Sequence, residues 1–180
     1  MPLYFNALLK PNQDILIQTL KSQDSSKLFK LVENNRAYLR EFLGWVDKSI
    51  TENDTLTFIK IQEDKMQKKE ALIFSVWYQK EIVGLIDLHA IDHANHSANI
   101  GYWISKDTQG KGIITKSVKA AIDYAFEKLS LHRIQILCAT ENKKSQAIPL
   151  RLGFSHEGTL KDAIWHYGNY FDAQLYGLVK

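Results

Sequence analysis

The chain has 180 residues, of which 45% are hydrophobic and 24% charged, and this composition indicates one ordinary globular domain. A net charge of +3 is too small to predict a nucleic-acid-binding surface, and no apolar run approaches a membrane span, so we expect neither nucleic-acid binding nor membrane insertion. The single cysteine, Cys138, excludes an internal disulfide framework and indicates a reducing, cytoplasmic location. Lys10 and Pro11 interrupt the first apolar residues, so we expect no signal peptide.

The first part of the chain predicts one strand followed by helices. The segment "DILIQTL" (14–20) is typical of a strand, and a helix capped by Ser22 or Asp24 follows it. Helical spacing continues through "AYLREFLGWVD" (37–47), and Thr51 opens a capping box that predicts a third helical segment. No repeat or linker interrupts the sequence, so residues 1–180 are treated as a single domain.

From residue 71 the pattern favours strands. The predicted strands are "ALIFSVWYQ" and "IVGLIDLHAI", joined as a hairpin, then "SANIGYWI", "RIQILCAT" and two tail strands turned at Gly168 and Asn169. An amphipathic helix follows residue 112, and Gly153 ends a shorter one that begins near residue 142. This order predicts a mixed α/β sheet. The aromatic residues of the tail strands fit a homodimer surface and core packing equally well.

Two closely spaced glycines, Gly110 and Gly112, lie between a predicted strand and a predicted helix, where backbone N–H groups bind anions. A Walker A loop requires glycine at 105 and Ser or Thr at 112, and the chain has Ser105 and Gly112 there. A dinucleotide-binding loop requires a small residue where Thr115 stands. Two interpretations of this segment remain: an anion-binding loop of another kind, or a plain strand-to-helix turn.

Residues 99–180 resemble the Gcn5-related N-acetyltransferase (GNAT) superfamily, whose acetyl-CoA loop reads Gln/Arg-x-x-Gly-x-Gly/Ala. "QGKGII" (109–114) matches this loop, with Ile114 in place of the last small residue. "NIGYWI" (99–104) resembles the fourth strand of that family, where a bulge splays the sheet, and "ENKKSQAIPLRLGF" (141–154) resembles its Asn-x-x-Ser/Ala…Gly-Phe segment. The resemblance implies the α/β (α+β) GNAT fold: a mixed, mostly antiparallel, twisted sheet of about seven strands flanked by helices and splayed at the fourth strand.

The resemblance also implies acetyl-CoA as co-substrate and no metal. Backbone N–H groups of the loop and the first helical turn would bind the pyrophosphate, while the splayed strand and Asn142 would bind the pantetheine arm. The implied acetyl-CoA contacts are Trp103, Ile104, Ser105, Gln109, Gly110, Lys111, Gly112, Ile113, Ile114, Thr115, Asn142 and Ser145.

"GYWI", "GKGIIT" and "LGFSHEG" look like the RimJ/RimL type, whose members acetylate the N-terminal α-amine of ribosomal proteins. The residues expected to contact the acceptor are Tyr38, Arg40, Trp45 and His89. Two alternatives stay open. One is an acetyltransferase for a small amine, such as a polyamine, aminoglycoside or amino acid, although the segment from Asn34 to Trp45 is not strongly acidic. The other is a non-catalytic acyl-CoA sensor.

The resemblance implies direct attack of the amine on the thioester in a ternary complex. A backbone N–H near Trp103 or Ile104 would stabilise the oxyanion. In many family members a tyrosine acts as the general acid, at the position where this chain has Pro149. We therefore predict that Ser145 is the general acid. A purely structural role of Ser145 at the helix start is an equal alternative. Asn99 stands where relatives often carry a glutamate.

Four residues are candidates for the general base: Glu157, Asp162, His89 and Asp87, and Glu157 ranks first because it follows the Gly-Phe segment that borders the cleft. The histidines near residues 89–96 resemble a metal cluster, but their spacing along a strand and loop argues against one. Cys138 is predicted to fill the core rather than to act as a nucleophile.

Overall fold

One eight-stranded sheet, in the order β1-β2-β3-β4-β5-β6-β8-β7, organises residues 7–180, which are the residues that this computed structural model describes. The strands are β1 (Leu8–Leu9), β2 (Ile15–Thr19), β3 (Leu72–Tyr78), β4 (Glu81–Asp92), β5 (Ser97–Ile104), β6 (Arg133–Ala139), β7 (Ser155–His166) and β8 (Asn169–Val179). The α-helices are α1 (Ser25–Leu39), α2 (Glu52–Gln67), α3 (Ile113–Lys128) and α4 (Lys143–Arg151). Consecutive residues 72–76 of β3 are all buried, so helices cover both faces of the sheet centre.

The sheet is antiparallel except where β5 meets β6, which confirms the predicted mixed and mostly antiparallel sheet. In the described chain that parallel contact spans three residue pairs, from Ser97–Arg133 to Asn99–Gln135. Beyond Asn99 the two strands part, while β5 stays paired with β4 as far as Ile104. A slot therefore opens inside the sheet.

The bulge predicted within residues 99–104 is absent from the β4–β5 pairing, which is regular there. The register shift between these strands lies instead between His89 and Asp92 of β4. Gly101 allows β5 to stay in register: a Cβ at this position would lie 2.6 Å from Asp87 Oδ1. The sheet is splayed because β6 leaves β5 after Gln135 and pairs with β8 as far as Ala139.

The capping box at Thr51 is confirmed. The Thr51 hydroxyl accepts from the Asp54 N–H, and the Asp54 carboxylate accepts from the Thr51 N–H, so α2 begins at Glu52. Helix α1, by contrast, ends at Leu39 instead of continuing to Val46. The Arg36 guanidinium donates to the Val46 carbonyl oxygen, 2.6 Å away, and folds the following segment back as a short 3₁₀ helix.

Helix α3 has the predicted apolar stripe, with its buried residues facing the sheet: Ile113, Val118, Ala121, Ile122, Tyr124 and Ala125. The two-residue strand β1 was not predicted. The last hairpin turns at Tyr167 and Gly168, one residue earlier than predicted, because both have the positive φ values, 46° and 84°, that a tight hairpin turn requires. Within residues 7–180, no helix has the length and apolar character needed to cross a membrane.

Candidate active site

A cavity of about 770 Å³ opens at the slot, between the end of α1, strand β5, the start of α3, and α4. Three cationic side chains line it: Lys116, Lys144 and Arg151. Among the residues described, no Asp or Glu belongs to this lining. The larger cavity, as we call it, therefore favours a polyanionic ligand.

The glycine loop forms one wall of the larger cavity. Gly110 and Gly112 have φ values of 73° and 71°, which an L-residue adopts only with strain. Gly112 is the N-cap of α3 and supplies no side-chain cap, and the first helical bond runs from Lys116 N–H to the Gly112 carbonyl oxygen, 3.1 Å. The N–H groups of residues 113–115 precede that bond, so they have no acceptor within the helix and can bind an anion.

Side-chain hydrogen bonds hold this loop in place. Asn35 Oδ1 of α1 accepts from the Lys106 N–H, 2.9 Å, just before the glycines. Gln109 joins both sides of the larger cavity, since its amide nitrogen donates to the Tyr38 hydroxyl and its oxygen accepts from Lys144 Nζ, 3.1 Å. Burial is the main cause that raises the pKa of Tyr38, so its phenol stays protonated at neutral pH.

The edge of β5 supplies free backbone donors to the slot. Ser105 N–H donates to the Val83 carbonyl oxygen of β4, 2.7 Å, and the Trp103 carbonyl also points at β4 because a Cβ on Gly84 would lie 2.2 Å from it. Alternate residues of a strand direct their N–H groups to opposite neighbours. The Ile104 N–H therefore faces the slot, whereas the Trp103 N–H faces β4.

Ser145 lies on α4 and lines the larger cavity. Asn142 Oδ1 caps this helix by accepting from the Ser145 N–H, 3.0 Å, so the Ser145 hydroxyl is not needed for capping. That hydroxyl is 3.3 Å from the Tyr102 hydroxyl and 3.3 Å from Cys138 Sγ. Tyr102 in turn donates to the Ser145 carbonyl oxygen, 2.8 Å.

Burial controls the ionisation of the groups around Ser145. It is the largest cause raising the pKa of Tyr102 and the largest cause raising the pKa of Cys138. Both groups are therefore neutral near pH 7 and keep a proton to donate. Cys138 is buried as predicted, but its thiol contacts a candidate catalytic hydroxyl and is not a mere core filler.

A smaller cavity of about 210 Å³ adjoins the larger one. The two cavities share five lining residues: Phe42, Leu43, Tyr102, Asn142 and Ser145. Its carboxylates are those of Glu41 and Glu141, and no Lys or Arg of the described chain lines it. The remaining surface is mostly apolar, with Ile136, Ile164 and Phe171. The smaller cavity therefore favours a compact cation with an apolar part.

Residues 14–155 match the acetyltransferase (GNAT) domain family. The chain belongs to the GNAT family. It is 35% identical over 172 residues to "Putative ribosomal N-acetyltransferase YdaF" of Bacillus subtilis (strain 168), covering 95% of this chain and 94% of YdaF. RimL, the ribosomal L7/L12 α-N-protein acetyltransferase, solved with coenzyme A, matches with a TM-score of 0.93 and 25% identity over 96% of this chain and 98% of its own. The microcin C7 self-immunity acetyltransferase MccE, solved with acetyl-CoA and AMP, matches with a TM-score of 0.91 and 31% identity over 96% of both chains.

The predicted fold, family and acetyl-CoA-dependent N-acetyltransferase activity are thus confirmed. In this GNAT enzyme the residues predicted to contact acetyl-CoA mostly line the larger cavity: Trp103, Ile104, Gln109, Gly110, Gly112, Ile113, Ile114, Thr115, Asn142 and Ser145. Ser105 and Lys111 do not line it. Ser105 hydrogen-bonds Thr108, 2.7 Å, and the Lys111 ammonium lies 5.7 Å from the centre of the Tyr78 ring.

The four residues predicted to contact the acceptor are not among those lining the smaller cavity. Tyr38 lines the larger cavity instead. Arg40 pairs with Asp47 at 2.8 Å and stacks on the Tyr167 ring at 4.3 Å, so it ties α1 to the β7–β8 hairpin. Trp45 packs against Trp103, with ring centroids 6.0 Å apart.

His89, the fourth, forms a pair with Asp87, whose Oδ2 is 2.6 Å from His89 Nδ1. The hydrogen bond to Asp87 is the main cause that raises the pKa of His89. Neither residue lines the larger or the smaller cavity, and His93 Nε2 is 2.9 Å from the Lys69 carbonyl oxygen. Across residues 7–180, no group of three or more His, Cys, Asp or Glu side chains could hold a metal ion.

Glu157 lies outside both cavities. Both of its oxygens accept from the Arg133 guanidinium, and its carboxylate covers Gly177 of β8. The Arg133 hydrogen bonds lower the pKa of Glu157, which makes it a weaker proton acceptor. Asp162, a lower-ranked candidate, also lies outside both cavities, and its N–H donates to Asp172. A base role for Glu157 stays a prediction.

Several site residues were missed from the sequence. Tyr102 and Cys138 are 43 and 7 residues away from Ser145, and no local pattern joins the three. Glu141 precedes Asn142 in the segment 141–154, but only the fold brings it to the same cavity as Glu41. Lys144 could have been found, because it lies one residue before Ser145 on a helix whose start lines the larger cavity.

Proposed function

We propose that this acetyltransferase transfers the acetyl group of acetyl-CoA to the N-terminal α-amine of a protein, with ribosomal proteins as the acceptor class. One observation carries the proposal: a larger cavity lined by three cations meets a smaller cavity lined by two carboxylates, and Tyr102 and Ser145 belong to both. The similarity to YdaF and RimL supports a ribosomal acceptor. The single cysteine supports a reducing, cytoplasmic setting.

The larger cavity suits the phosphates of acetyl-CoA. Lys116, Lys144 and Arg151 supply positive charge, and the first turn of α3 supplies N–H donors and the positive end of the helix dipole. The smaller cavity suits an ammonium group, because Glu41 and Glu141 supply carboxylate oxygens to its lining. The positive lining thus attracts acetyl-CoA to the larger cavity, and the negative lining attracts the amine to the smaller one.

Bound acetyl-CoA supplies an activated thioester. The ammonium first gives one proton to water. Attack by the resulting neutral amine forms the N–C bond and breaks the C–S bond; the departing thiolate takes up the Ser145 proton, and the proton then released from nitrogen replaces it on the serine oxygen. The Ile104 N–H, which faces the slot, is the donor placed to stabilise the oxyanion, worth roughly 3 kcal/mol. The Ser145 hydroxyl is the donor for the departing sulfur.

The experiment is an acetylation screen read by mass spectrometry. Its acceptors are synthetic peptides with the N-termini of ribosomal proteins, the same peptides with blocked amines, polyamines, aminoglycosides and amino acids. We expect acetylation of free-amine peptides at the α-nitrogen and none of blocked ones. Acetylation of the small amines alone would overturn the protein acceptor but keep the two-cavity chemistry.

A small cationic amine is the second candidate acceptor, because the smaller cavity can also hold one. A volume of about 210 Å³ with two carboxylates fits a polyamine end as well as a peptide terminus. The third alternative, an acyl-CoA sensor without turnover, is tested in the same screen, since CoA release with any amine excludes it. Absence of any melting-temperature shift with acetyl-CoA would contradict all three.

A further inference from the structure

We propose that Tyr102 is the positioning residue for Ser145: its side chain crosses the slot in the sheet and fixes the hydroxyl that donates a proton to the departing sulfur. This inference rests on the function proposed above, in which Ser145 donates to the thiolate. Tyr102 lies on β5, and Ser145 lies on α4, which follows β6. These elements flank the slot where β5 and β6 have parted.

Tyr102 connects the two sides of the slot, as backbone hydrogen bonds connect neighbouring strands elsewhere in the sheet. After Asn99, no ladder bond joins β5 to β6 in the described residues. The Tyr102 hydroxyl donates to the Ser145 carbonyl oxygen at 2.8 Å, a normal strong geometry, and so ties β5 to the first turn of α4. The Tyr102 side chain thereby sets the distance between β5 and α4 at the point where both cavities meet.

The hydrogen bonds around Ser145 have one consistent direction. Because the Tyr102 proton is used by the Ser145 carbonyl, the phenol oxygen offers only lone pairs to the Ser145 hydroxyl, which donates to it at 3.3 Å. The Cys138 thiol is neutral and lies 3.3 Å from Ser145 Oγ, so it is the donor to that oxygen. The Ser145 proton is therefore held in one place before the reaction.

This arrangement can release the proton when it is needed. A thiolate is a charged acceptor and binds a hydroxyl more strongly than a neutral phenol oxygen at 3.3 Å does. Rotation of the Ser145 hydroxyl would then exchange one acceptor for the other, while the bond from Tyr102 to the backbone keeps α4 in place. Tyr102 acts through Ser145 and needs no proton transfer of its own.

The test variant is Tyr102→Phe, which keeps the ring and removes the hydroxyl. We expect kcat to fall roughly 10- to 100-fold, because a misplacement of about 1 Å at a catalytic group can cost about 100-fold in rate. The dissociation constant and KM of acetyl-CoA should change less than about threefold, since the cations and glycine loop are untouched. Rates are measured as CoA release with the fastest peptide of the screen and, separately, with spermidine.

Tyr176→Phe is the matched control. Tyr176 is a buried tyrosine, 4% exposed, on the strand that pairs with β6, and its ring packs on His156 with centroids 5.4 Å apart. It lines neither cavity, so its loss should leave kcat within about twofold of wild type. A melting curve for each variant, with and without acetyl-CoA, shows whether the fold and the cofactor site persist.

A double-variant cycle separates positioning from a merely structural role. If Tyr102 acts through Ser145, then Tyr102→Phe combined with Ser145→Ala is no slower than the slower single variant. Losses that multiply, an unchanged kcat in Tyr102→Phe, or a loss confined to acetyl-CoA affinity would each overturn the inference. A Ser145→Ala variant with wild-type kcat would instead show that the proposed acid is wrong, which is a separate result.

Discussion

The two cavities differ in how the chain builds them. The larger cavity comes mainly from two continuous stretches, 102–116 and 142–151, and both lie at a strand-to-helix junction. The smaller cavity draws on five separate segments, from Glu41 at the end of α1 to Phe171 on β8. A cofactor that is the same for a whole family can be recognised by a local motif. An acceptor that differs between members is recognised by surfaces that only the fold brings together.

The two cavities also differ in charge, and this difference makes them separable by experiment. Substitutions in the basic lining should change acetyl-CoA affinity alone, and substitutions in the acidic lining should change the acceptor alone. Ser145 lies at their junction, so its loss should slow the reaction and leave both affinities unchanged. The predictions below test that separation, from the largest expected effect to the smallest.

Ser145→Ala should reduce kcat by roughly 100-fold, because it removes the donor to the departing sulfur. The dissociation constant of acetyl-CoA, measured by calorimetry, should change less than about twofold, since Asn142 still caps α4. Ser155→Ala, at an exposed serine on β7, is the control and should behave as wild type. Full activity in Ser145→Ala would remove Ser145 from the reaction.

Gly112→Ala should weaken acetyl-CoA binding at least about tenfold, because an L-residue at its φ of 71° is strained and the loop must move its N–H groups to relax. Gly153→Ala is the matched control, since Gly153 has a φ of 82°, has open space for a Cβ, and lies outside both cavities. Both variants should melt at a lower temperature, but Gly153→Ala should bind acetyl-CoA normally. Equal weakening in both would mean that general instability, not the loop, controls affinity.

Lys144→Gln should raise the dissociation constant of acetyl-CoA about fivefold, and the difference from wild type should shrink in high salt, which screens charges. The acceptor KM should stay the same. Lys143→Gln removes the same charge one residue earlier, at a position outside both cavities, and should have little effect. If both substitutions weaken binding equally, only the overall charge matters and the lining of the larger cavity does not.

Glu41→Gln combined with Glu141→Gln should raise the KM of a cationic acceptor about threefold at low salt, because both carboxylates are exposed and therefore screened. Acetyl-CoA affinity should be unchanged or slightly improved. Glu127→Gln, on the exposed side of α3, is the control for net charge. An unchanged acceptor KM would indicate that the smaller cavity does not bind the amine.

Glu157→Gln should change kcat less than about twofold, because Glu157 lies outside both cavities and its two carboxylate oxygens accept hydrogen bonds from Arg133. A fall of roughly 10²- to 10⁴-fold would instead support the sequence-based prediction of a base. The pKa of Glu157 is lowered by Arg133, so its contribution to stability is present above the ordinary glutamate pKa and disappears as pH falls through the lowered one. Melting curves of wild type and variant should therefore converge in acid.

Local chemistry explains which parts of the fold were predictable. Thr51 and Asp54 cap a helix through bonds three residues apart, and Gly112 begins another through its own φ, so both boundaries can be read from the sequence. The end of α1 cannot, because it depends on Arg36 reaching the carbonyl of Val46 ten residues away. The same holds for the site: the glycine loop is contiguous, whereas the contact of Tyr102 with Ser145 spans 43 residues.

Three residue pairs hold β5 to β6 in the described chain, so the sheet consists of two smaller sheets joined along a short seam. A seam of three pairs is expected to open before the longer ladder between β3 and β4 does. Amide hydrogens at Ser97–Asn99 should accordingly exchange with solvent sooner than those of β3, and this exchange should slow once acetyl-CoA fills the slot. We therefore expect the two smaller sheets to be held together most firmly while acetyl-CoA is bound, and to separate more readily after coenzyme A has left.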